Sequence, residues 1–468
     1  MIWAYNNVSI SRGFPNLIRR IDLGMESKRF GTDGYRGVAG KELTARDAYT
    51  VGACLREVLG KRLKIGVGMD TRLSSPMLTA AIVSGILSSG SEAHIFGEVS
   101  TPAAIYLCDK LKLDIAVIVT ASHNPFEDNG IKIVLRGGEK CPPAYERAIE
   151  RYLGGEVNVK TVFGADIGRA YAKLDAISLY EEHLAELFAS VGDGYRVGID
   201  AANGAAYRSA PRILTRCGAK VYPIGVCPNG INVNDGCGSL HTEALSRLVR
   251  AEGLSVGFAL DGDADRLIAV DKNGSVIDGD AILYILATYK KRRGVLKNNA
   301  AVSTVTSNGA LEVALGEKGI TLVKTPVGDK YVSDAMRRYD IEIGAESSGH
   351  VILSDICSVG DGVLTALSLL RVMRCEGASL SELSAEYIPY PSRSVSVACK
   401  DRDSVLLSER VLEARARAEA ILGKGAKLLL RSSGTEEKIR ILAEGEDAEF
   451  CDMAIDVIKR AILEATSE

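Results

Sequence analysis

The sequence predicts an α/β protein in which three related βαβ domains precede a smaller α+β domain. A strand–helix–strand pattern recurs three times, a polar loop follows the third strand of each repeat, and the pattern changes near Tyr387. The chain has 468 residues, which is too long for a single hydrophobic core. We therefore expect several domains, each with a core of its own.

Each repeat opens with an apolar segment that ends in small and polar residues. These segments are "RLKIGVGMD", "YRVGIDAANG" and "AAVSTVTSNG", and the helix after each one ends at Gly90, Gly218 or Gly319. A glycine with left-handed backbone commonly closes a helix. A second strand, a second helix and a third strand follow each time, which is the order of βαβ units. Three copies indicate three domains of similar build.

Polar loops follow the third strand of all three repeats. These loops are "ASHNP", "DGDADR" and "AESSGH". Ligands of open α/β sheets bind outside the carboxyl ends of the strands. If the three domains face one cleft, the three loops converge there.

The last part of the chain has a different pattern. A strand-like run, "SRSVSVAC", precedes one predicted helix, "SVLLSERVLEARARAEAILG". Two strand-like runs then flank the polar loop "RSSGT", and a helix closes the chain. Residues 1–24 lack the apolar core of a secretory signal, and we expect them to be either a weak targeting peptide or an N-terminal extension preceding a start at Met25. The predicted domains are α/β in 25–170, 171–272 and 273–386, and α+β in 387–468.

Composition excludes several classes of function. The net charge is −3, which gives no electrostatic footprint for nucleic acid. The ten cysteines have no CxxC spacing, so reduced thiols in a cytoplasmic protein are expected rather than zinc ligands or disulfides. No apolar run approaches the length of a membrane span.

The loop "DGDADR" carries carboxylates at Asp261, Asp263 and Asp265. Alternate residues of an extended or looping segment point the same way, so three oxygens can converge on a hard cation such as Mg²⁺. A calcium loop of the EF-hand type is excluded by Arg266 and Lys272 at the glycine and acid positions. The alternative is an acidic surface turn.

The loop "RSSGT" offers groups that suit a phosphate. Arg431 supplies a bidentate fork, Ser433 and Thr435 supply hydroxyls, and Gly434 lets main-chain N–H groups approach an anion. An ordinary turn is the alternative.

The loop "AESSGH" suits a polyol. Glu346 and Ser348 offer an acceptor and a donor at alternate positions, and His350 is either an acid–base group or a structural histidine. Two further cations, Arg36 and Lys132, are candidates for the site. Arg36 lies in a glycine-rich run, and Lys132 lies ten residues after Ser122. Each of them is either a ligand-binding group or a solvated side chain.

Ser122 lacks the G-x-S-x-G elbow of a hydrolase. His123 points away from it if the segment is extended. A serine beside a magnesium site and a phosphate-binding loop can instead carry a phosphoryl group, so that the phosphoserine donates rather than attacks and supplies a further oxygen ligand to the metal.

Taken together, "TASHNP", "DGDADR", "GAESSGH" and "RSSGT" resemble, in this order, the motifs of the α-D-phosphohexomutase family. The resemblance covers the chain from about residue 28 to residue 465. It implies four domains around a cleft, the fourth similar to the TATA-binding protein. "FGTDGYRG" and "PNGINVNDGCGSLHTEAL" resemble the bacterial branch that interconverts glucosamine 6-phosphate and glucosamine 1-phosphate for UDP-N-acetylglucosamine and peptidoglycan synthesis.

The resemblance also implies roles for individual residues. Ser122 is the phosphoserine, and one of its oxygens joins the three aspartates on Mg²⁺. Glu346 and Ser348 bind sugar hydroxyls, whereas Arg431, Ser433, Gly434 and Thr435 bind the phosphate that is not transferred. The reacting end is lined by Arg36, His123, Lys132, Arg266 and His350.

The implied cycle passes through glucosamine 1,6-bisphosphate, which is both intermediate and activator. The source of the first phosphoryl group stays open between a kinase, a bisphosphate sugar and self-phosphorylation, and a homodimer is an alternative to a monomer. Ser347 and Ser432 replace the family's usual glutamine and proline. The competing interpretations are the same chemistry on mannose or glucose phosphates, and a sugar-phosphate sensor without catalysis.

Overall fold

The computed structural model describes residues 29–31, 33–423, 426–432 and 437–467. The chain divides into two compact units. The first comprises Met1–Ser190, Gly198–Leu245 and Ala259–Asp265; the second comprises Val191–Val197, Ser246–Phe258 and Arg266–Glu468. No helix in the described ranges is both long and apolar enough to cross a membrane.

The first sheet has the order β1-β2-β6-β5-β3-β4-β8, with β7 beside β6. Strands β3, β4, β5 and β8 are parallel, and β6 runs antiparallel to β5. The strands are β1 (Phe30–Gly31), β2 (Gly34–Val38), β3 (Lys64–Met69), β4 (Glu92–Glu98), β5 (Ile115–Val119), β6 (Asp128–Leu135), β7 (Glu139–Lys140) and β8 (Ala170–Ala172). The helices of this region are α1 (Ala45–Leu59), α2 (Ser75–Ser88), α3 (Thr101–Lys110), α4 (Pro143–Leu153) and α5 (Ile177–Leu187).

The second sheet has the order β10-β9-β11-β12-β13. Its strands are β9 (Arg196–Asp200), β10 (Lys220–Ile224), β11 (Val256–Leu260), β12 (Leu267–Asp271) and β13 (Val276–Ile277). Helix α6 (Ser209–Arg216) lies between β9 and β10 in the chain, and α7 (Glu243–Glu252) lies between β10 and β11.

The third sheet has the order β15-β14-β16-β17. Its strands are β14 (Ala300–Thr304), β15 (Thr321–Thr325), β16 (Ile343–Ala345) and β17 (Val351–Leu353). Its helices are α8 (Gly279–Arg292), α9 (Gly309–Glu317), α10 (Asp329–Tyr339), α11 (Gly362–Glu376) and α12 (Leu380–Leu383).

The predicted repeat is confirmed by strand order. Each sheet contains the path second–first–third–fourth strand of its repeat: β4-β3-β5-β6, β10-β9-β11-β12 and β15-β14-β16-β17. The glycines predicted to close the first helices have positive φ: 83° at Gly90, 96° at Gly218 and 66° at Gly319. Loops after the third strands therefore occupy equivalent positions in three sheets.

Local sequence explains the central strands. All five residues of β5, "IAVIV", are buried, as expected for a strand covered on both faces. Helix α1 begins at a capping box, in which the Thr44 hydroxyl accepts from Asp47 N and an Asp47 carboxylate oxygen accepts from Thr44 N. Helices α1 and α2 pack closely because Gly52 and Gly85 each face the backbone of the other helix.

The C-terminal sheet is antiparallel, with the order β18-β20-β19. Its elements are β18 (Ser392–Ala398), β19 (Lys427–Ser432), β20 (Lys438–Glu444), α13 (Arg402–Leu407), α14 (Glu409–Leu422) and α15 (Ala448–Ser467). The single helix predicted over "SVLLSERVLEARARAEAILG" is wrong. Ser408 has an extended backbone with φ −64° and ψ 143°, and its hydroxyl caps Val411 N, so two helices meet there.

Candidate active site

The loop after β5, which we call the serine loop (residues 120–128), holds Ser122 in a left-handed conformation with φ 53°. Its Oγ donates a hydrogen bond to Asp261 Oδ2 at 2.5 Å and lies 3.3 Å from His123 Nδ1. The expectation that His123 points away is therefore wrong. It assumed an extended segment, whereas the N–H of Ser122 bonds the Thr120 hydroxyl at 3.0 Å and the backbone turns.

Three carboxylates lie beside this serine in the first unit. Asp261, Asp263 and Asp265 are all buried, and one oxygen from each lies within 4.8 Å of the others. The predicted convergence is confirmed, and a turn produces it. Ala264, with φ 58°, donates its N–H to the Asp261 carbonyl at 3.0 Å.

Asp263 is held at its position by the start of α3. Thr101 donates its hydroxyl to Asp263 Oδ2 at 2.5 Å and its N–H to the Asp263 carbonyl at 3.0 Å. Among the described residues, Oδ1 of Asp263 is a buried oxygen with no hydrogen-bond partner. A buried anionic oxygen is costly without a cation or a donor, and three such carboxylates form a donor set that fits a hard divalent ion.

Lys132 on β6 contacts three carboxylates. Its Nζ lies 2.8 Å from Asp263 Oδ2, 3.0 Å from Asp265 Oδ2 and 2.9 Å from Asp33 Oδ2. Burial opposes the charge on this amine, but the three carboxylates outweigh burial and raise the pKa of Lys132 well above its usual value. Lys132 is therefore a cation at neutral pH in this arrangement.

Arg36 on β2 approaches the serine loop from another side. Its guanidinium donates to the Ala121 carbonyl and to Asn124 Oδ1, each at 3.3 Å, and to Asp33 Oδ2 at 2.5 Å. Burial opposes the charge of Asp33, yet Lys132 and neighbouring cations hold the pKa of that carboxyl far below its usual range. Arg36 stays partly exposed, so its charge faces the surface of the site.

Four residues of this site were not predicted from the sequence. Arg72, Asp70, Thr120 and Asn234 are buried, and Asp70 receives hydrogen bonds from Arg72 Nε and from the Thr120 hydroxyl, both at 2.8 Å. Asp70 follows β3 just as Thr120 follows β5, and these are the two central parallel strands. The rule that ligands bind at strand ends would have identified "MDTR" if it had been applied to the first strand of the repeat.

The loop after β16 lies in the second unit and holds Glu346, Ser348 and His350. Glu346 Oε1 accepts from Gly328 N at 2.9 Å, and the buried His350 has its Nε2 3.7 Å from Asp329 Oδ2. Glu346 and Ser348 are partly exposed. Gly328 and Asp329 precede and begin α10, so the loop after β16 contacts the loop after β15.

The remaining predicted residues are farther along the second unit or outside the described ranges. Arg266, partly exposed, directly follows Asp265 and begins the last segment of the second unit. Arg431 is exposed on β19, opposite Arg440 of β20. Ser433, Gly434 and Thr435 lie outside the described residues.

Comparison with known proteins covers nearly the whole chain. Four family models of phosphoglucomutase/phosphomannomutase match the chain. The model of domain I matches residues 27–158, domain II residues 178–274, domain III residues 278–390 and the C-terminal domain residues 395–454. A phosphoglucosamine mutase of Carboxydothermus hydrogenoformans is 44% identical over 92% of this chain and 98% of its own length. A phosphoglucosamine mutase of Exiguobacterium is 40% identical over 93% of this chain and 98% of its own length.

A solved structure shows the same fold. The phosphoglucomutase/phosphomannomutase family protein of Burkholderia thailandensis superposes with a TM-score of 0.78 at 23% identity, over 94% of this chain and 98% of that one. The four matching domain models, the near-complete relatives and the strand order agree with one another. The chain belongs to the phosphoglucomutase/phosphomannomutase family, the α-D-phosphohexomutases.

Proposed function

We propose that this enzyme interconverts glucosamine 6-phosphate and glucosamine 1-phosphate through a phosphoserine at Ser122. The observation that carries the proposal is the buried Ser122 Oγ, 2.5 Å from Asp261 in a group of three carboxylates. The sugar is supported by curated relatives named phosphoglucosamine mutase at 40–44% identity. Mannose and glucose phosphates are the competing substrates.

One Mg²⁺ would be held by Asp261, Asp263, Asp265 and an oxygen of the phosphoserine. The fit is supported by the converging carboxylates and by the buried Asp263 Oδ1, which has no hydrogen-bond partner among the described residues. When bound, the cation offsets the negative charge of the phosphoryl group during transfer.

The first transfer breaks the bond between phosphorus and Ser122 Oγ and forms one to the free sugar hydroxyl. The hydroxyl proton passes to a basic group of the site, and Ser122 Oγ takes up a proton from an acidic group as its bond to phosphorus breaks. The product is glucosamine 1,6-bisphosphate. After the bisphosphate reorients, the bond between its other phosphorus and the sugar oxygen breaks, and a bond to Ser122 Oγ forms. The sugar oxygen takes up a proton and becomes a hydroxyl. The serine then loses its proton as the new bond forms, and Asp261, which already accepts the hydrogen bond from this hydroxyl, is placed to receive it.

The cations of the first unit have separate tasks in this cycle. Lys132 neutralises the aspartates that it contacts, and Arg36 presents a guanidinium edge next to the serine loop. His123, 3.3 Å from Ser122 Oγ, orients the serine or its phosphoryl group. In the second unit, Arg266 and His350 complete the set of residues assigned to the reacting end.

The other assignments follow the family resemblance. Glu346 and Ser348 bind sugar hydroxyls, and Arg431, Ser433, Gly434 and Thr435 bind the phosphate that is not transferred. The bisphosphate serves as activator, and a kinase, self-phosphorylation or the bisphosphate itself supplies the first phosphoryl group. A homodimer, a cytoplasmic location and the domain borders given above are parts of the same proposal.

The substrate proposal is tested by kcat/KM for glucosamine 6-phosphate, glucose 1-phosphate and mannose 1-phosphate, each with Mg²⁺ and a trace of the matching bisphosphate. We expect a strong preference for the glucosamine phosphate, since the site compares sugars that differ at C2. A preference for mannose or glucose phosphate would contradict the proposed substrate but not the proposed phosphoryl-transfer mechanism.

The chemistry is tested by Ser122→Ala, with the exposed Ser178→Ala as the matched control. We expect Ser122→Ala to lose mutase activity to background and the control to keep it. Full activity in Ser122→Ala would overturn the mechanism. Steady release of inorganic phosphate by the wild type would indicate a phosphatase instead.

A further inference from the structure

The serine loop rests on a buried arginine that has no place in the cycle described above. The side chain of Arg72 is completely inaccessible to solvent and pairs with Asp70. A guanidinium has five N–H groups in a fixed fork. In Arg72 each of the three nitrogens is engaged, Nε by the carboxylate and the two Nη atoms by four main-chain carbonyls of the serine loop: Ser122, Asn124, Pro125 and Asp128.

Asn234 completes the same arrangement from a different part of the chain. Its Nδ2 donates to the Ser122 carbonyl at 2.9 Å and to the Asn124 carbonyl at 3.1 Å. Arg72 Nη2 donates to the same two carbonyls at 2.9 and 2.8 Å. Each carbonyl oxygen thus receives two donors, which is the capacity of its lone pairs. Asn234 has φ 59°, a conformation that asparagine tolerates better than most residues.

We propose that Arg72 and Asn234 are positioning residues, which together hold the serine loop so that Ser122 Oγ is presented for phosphoryl transfer. Ser122 is a non-glycine residue with φ 53°, and such a conformation persists only when surrounding contacts impose it. The two side chains hold the carbonyl of that residue, and Thr120 holds its N–H. With the backbone held in this way, the Ser122 hydroxyl donates to Asp261 Oδ2 at 2.5 Å.

The number of donors explains why this position needs arginine. Lysine would keep the charge next to Asp70 but offers at most three N–H groups, so at least two of the five acceptors would lose their donor. Removing the cation altogether would leave the buried Asp70 without a counter-charge, which is strongly destabilising. Asn234→Asp keeps the shape and tolerates the left-handed backbone, yet removes the donor to both carbonyls.

The test, which rests on the proposed function, compares Asn234→Asp and Arg72→Lys with two matched controls. Asn298→Asp is the first, because Asn298 also has positive φ and donates Nδ2 to two carbonyls, those of Tyr339 and Asp340. Arg56→Lys is the second, because Arg56 donates to the Ser89 carbonyl far from the serine loop in sequence. For each variant, kcat and KM for glucosamine 6-phosphate are measured, and kcat alone is divided by the folded fraction from circular dichroism.

We expect kcat per folded molecule to fall at least about tenfold in both loop variants, since small misplacements of a reacting group cost up to about a hundredfold. KM should stay within about twofold, and both controls should keep kcat. Intact-mass measurement after incubation with glucosamine 1,6-bisphosphate should show less phosphate on Ser122. An unchanged kcat per folded molecule in Asn234→Asp would overturn the proposal, because the role would then be structural alone.

Failure of the proposed function gives a different result. If the wild-type enzyme lacked mutase activity, the proposed function would be refuted. The positioning role would then be tested by amide hydrogen exchange of residues 120–128. Faster exchange there in Asn234→Asp than in Asn298→Asp would support the role. Equal exchange in the two variants would overturn it.

Discussion

At the scale of the residue, two loops meet where only a glycine fits. A Cβ at position 262 would lie 2.5 Å from the Ser122 carbonyl oxygen and 3.1 Å from Asn234 Nδ2. Gly262 therefore sets the distance between the serine loop and the aspartates on either side of it. We therefore expect the activity to depend on this spacing as well as on the charged groups.

Gly262→Ala should lower mutase kcat at least about tenfold, because the added methyl group pushes Ser122 away from Asp261. Overpacking of this kind typically costs about 1–3 kcal/mol of stability. Steady-state kinetics and urea unfolding measure the two effects. Gly316→Ala is the control, since a Cβ there meets nothing within 4 Å; equal kcat in the two variants would contradict the prediction.

Asp261→Asn should weaken Mg²⁺ binding at least about tenfold, since affinity follows the number of charged oxygen ligands. Titration calorimetry with Mg²⁺ alone measures this without reference to activity. The carboxylate of Asp114, which pairs with Lys61 at 2.7 Å away from the site, provides the control variant Asp114→Asn. Wild-type affinity in Asp261→Asn would argue against the metal assignment.

At the scale of the element, the break between α13 and α14 shows how one cap overrides a long helical pattern. The apolar and charged residues of "SVLLSERVLEARARAEAILG" repeat with helical spacing on both sides of Ser408. Its hydroxyl accepts from Val411 N at 3.4 Å and donates to the Val405 carbonyl at 2.7 Å. The same side chain thus ends one helix and begins the next.

Ser408→Ala should destabilise the protein by about 1 kcal/mol, the usual cost of losing an N-cap. Ser408→Thr keeps a hydroxyl at the position and should stay closer to the wild type. Urea unfolding of the three proteins measures the difference. No difference between Ser408→Ala and Ser408→Thr would mean that the hydroxyl does not cap α14 in solution.

At the scale of the whole molecule, the four domain types follow one another as the repeats predict. In the second unit, the C-terminal part of the chain joins the third sheet through buried polar groups. Glu444 accepts from Gly309 N at 2.7 Å, and Asn308 donates Nδ2 to the Tyr390 carbonyl at 3.0 Å. Asp280 accepts from Asn308 N at 2.8 Å, so one loop, residues 308–309, contacts three acceptors.

Asp280 should make the stability of this unit depend on pH. Burial raises the pKa of Asp280 to about 6, against 3.8 for an ordinary aspartate, although the Asn308 N–H favours its charged form. A carboxyl whose folded pKa is raised stabilises the fold while protonated, and this contribution is lost as pH rises through about 6. The variant Asp280→Asn has no ionisable group at this position, so its free energy of unfolding does not include that loss.

Between about pH 4 and pH 7, the unfolding free energy of Asp280→Asn should therefore rise relative to the wild type by about 3 kcal/mol. Urea unfolding of both proteins across this range measures the change. A constant difference between them would show that Asp280 titrates at its ordinary pKa. A relative fall would show that the folded protein favours the charged carboxylate.

Much of this organisation was predictable from local sequence. The β-branched runs, the helix-ending glycines and the polar loops after the third strands all act over a few residues, so they predicted the three repeats and the aspartate loop. The identity of Ser122 and of the three aspartates as a group followed from the same patterns.

Other features were decided only by tertiary structure, because they join residues far apart in the chain. Lys132 and Asp263 are separated by 131 residues, and Asn234 and Ser122 by 112. No local pattern states which distant carboxylate a lysine will meet, nor that Ser122 will adopt a left-handed backbone. The sequence by itself determined the repeats and the polar loops that carry Ser122 and the aspartates. Packing between distant segments decided the conformation of the serine, the charge of Lys132 and the burial of Arg72.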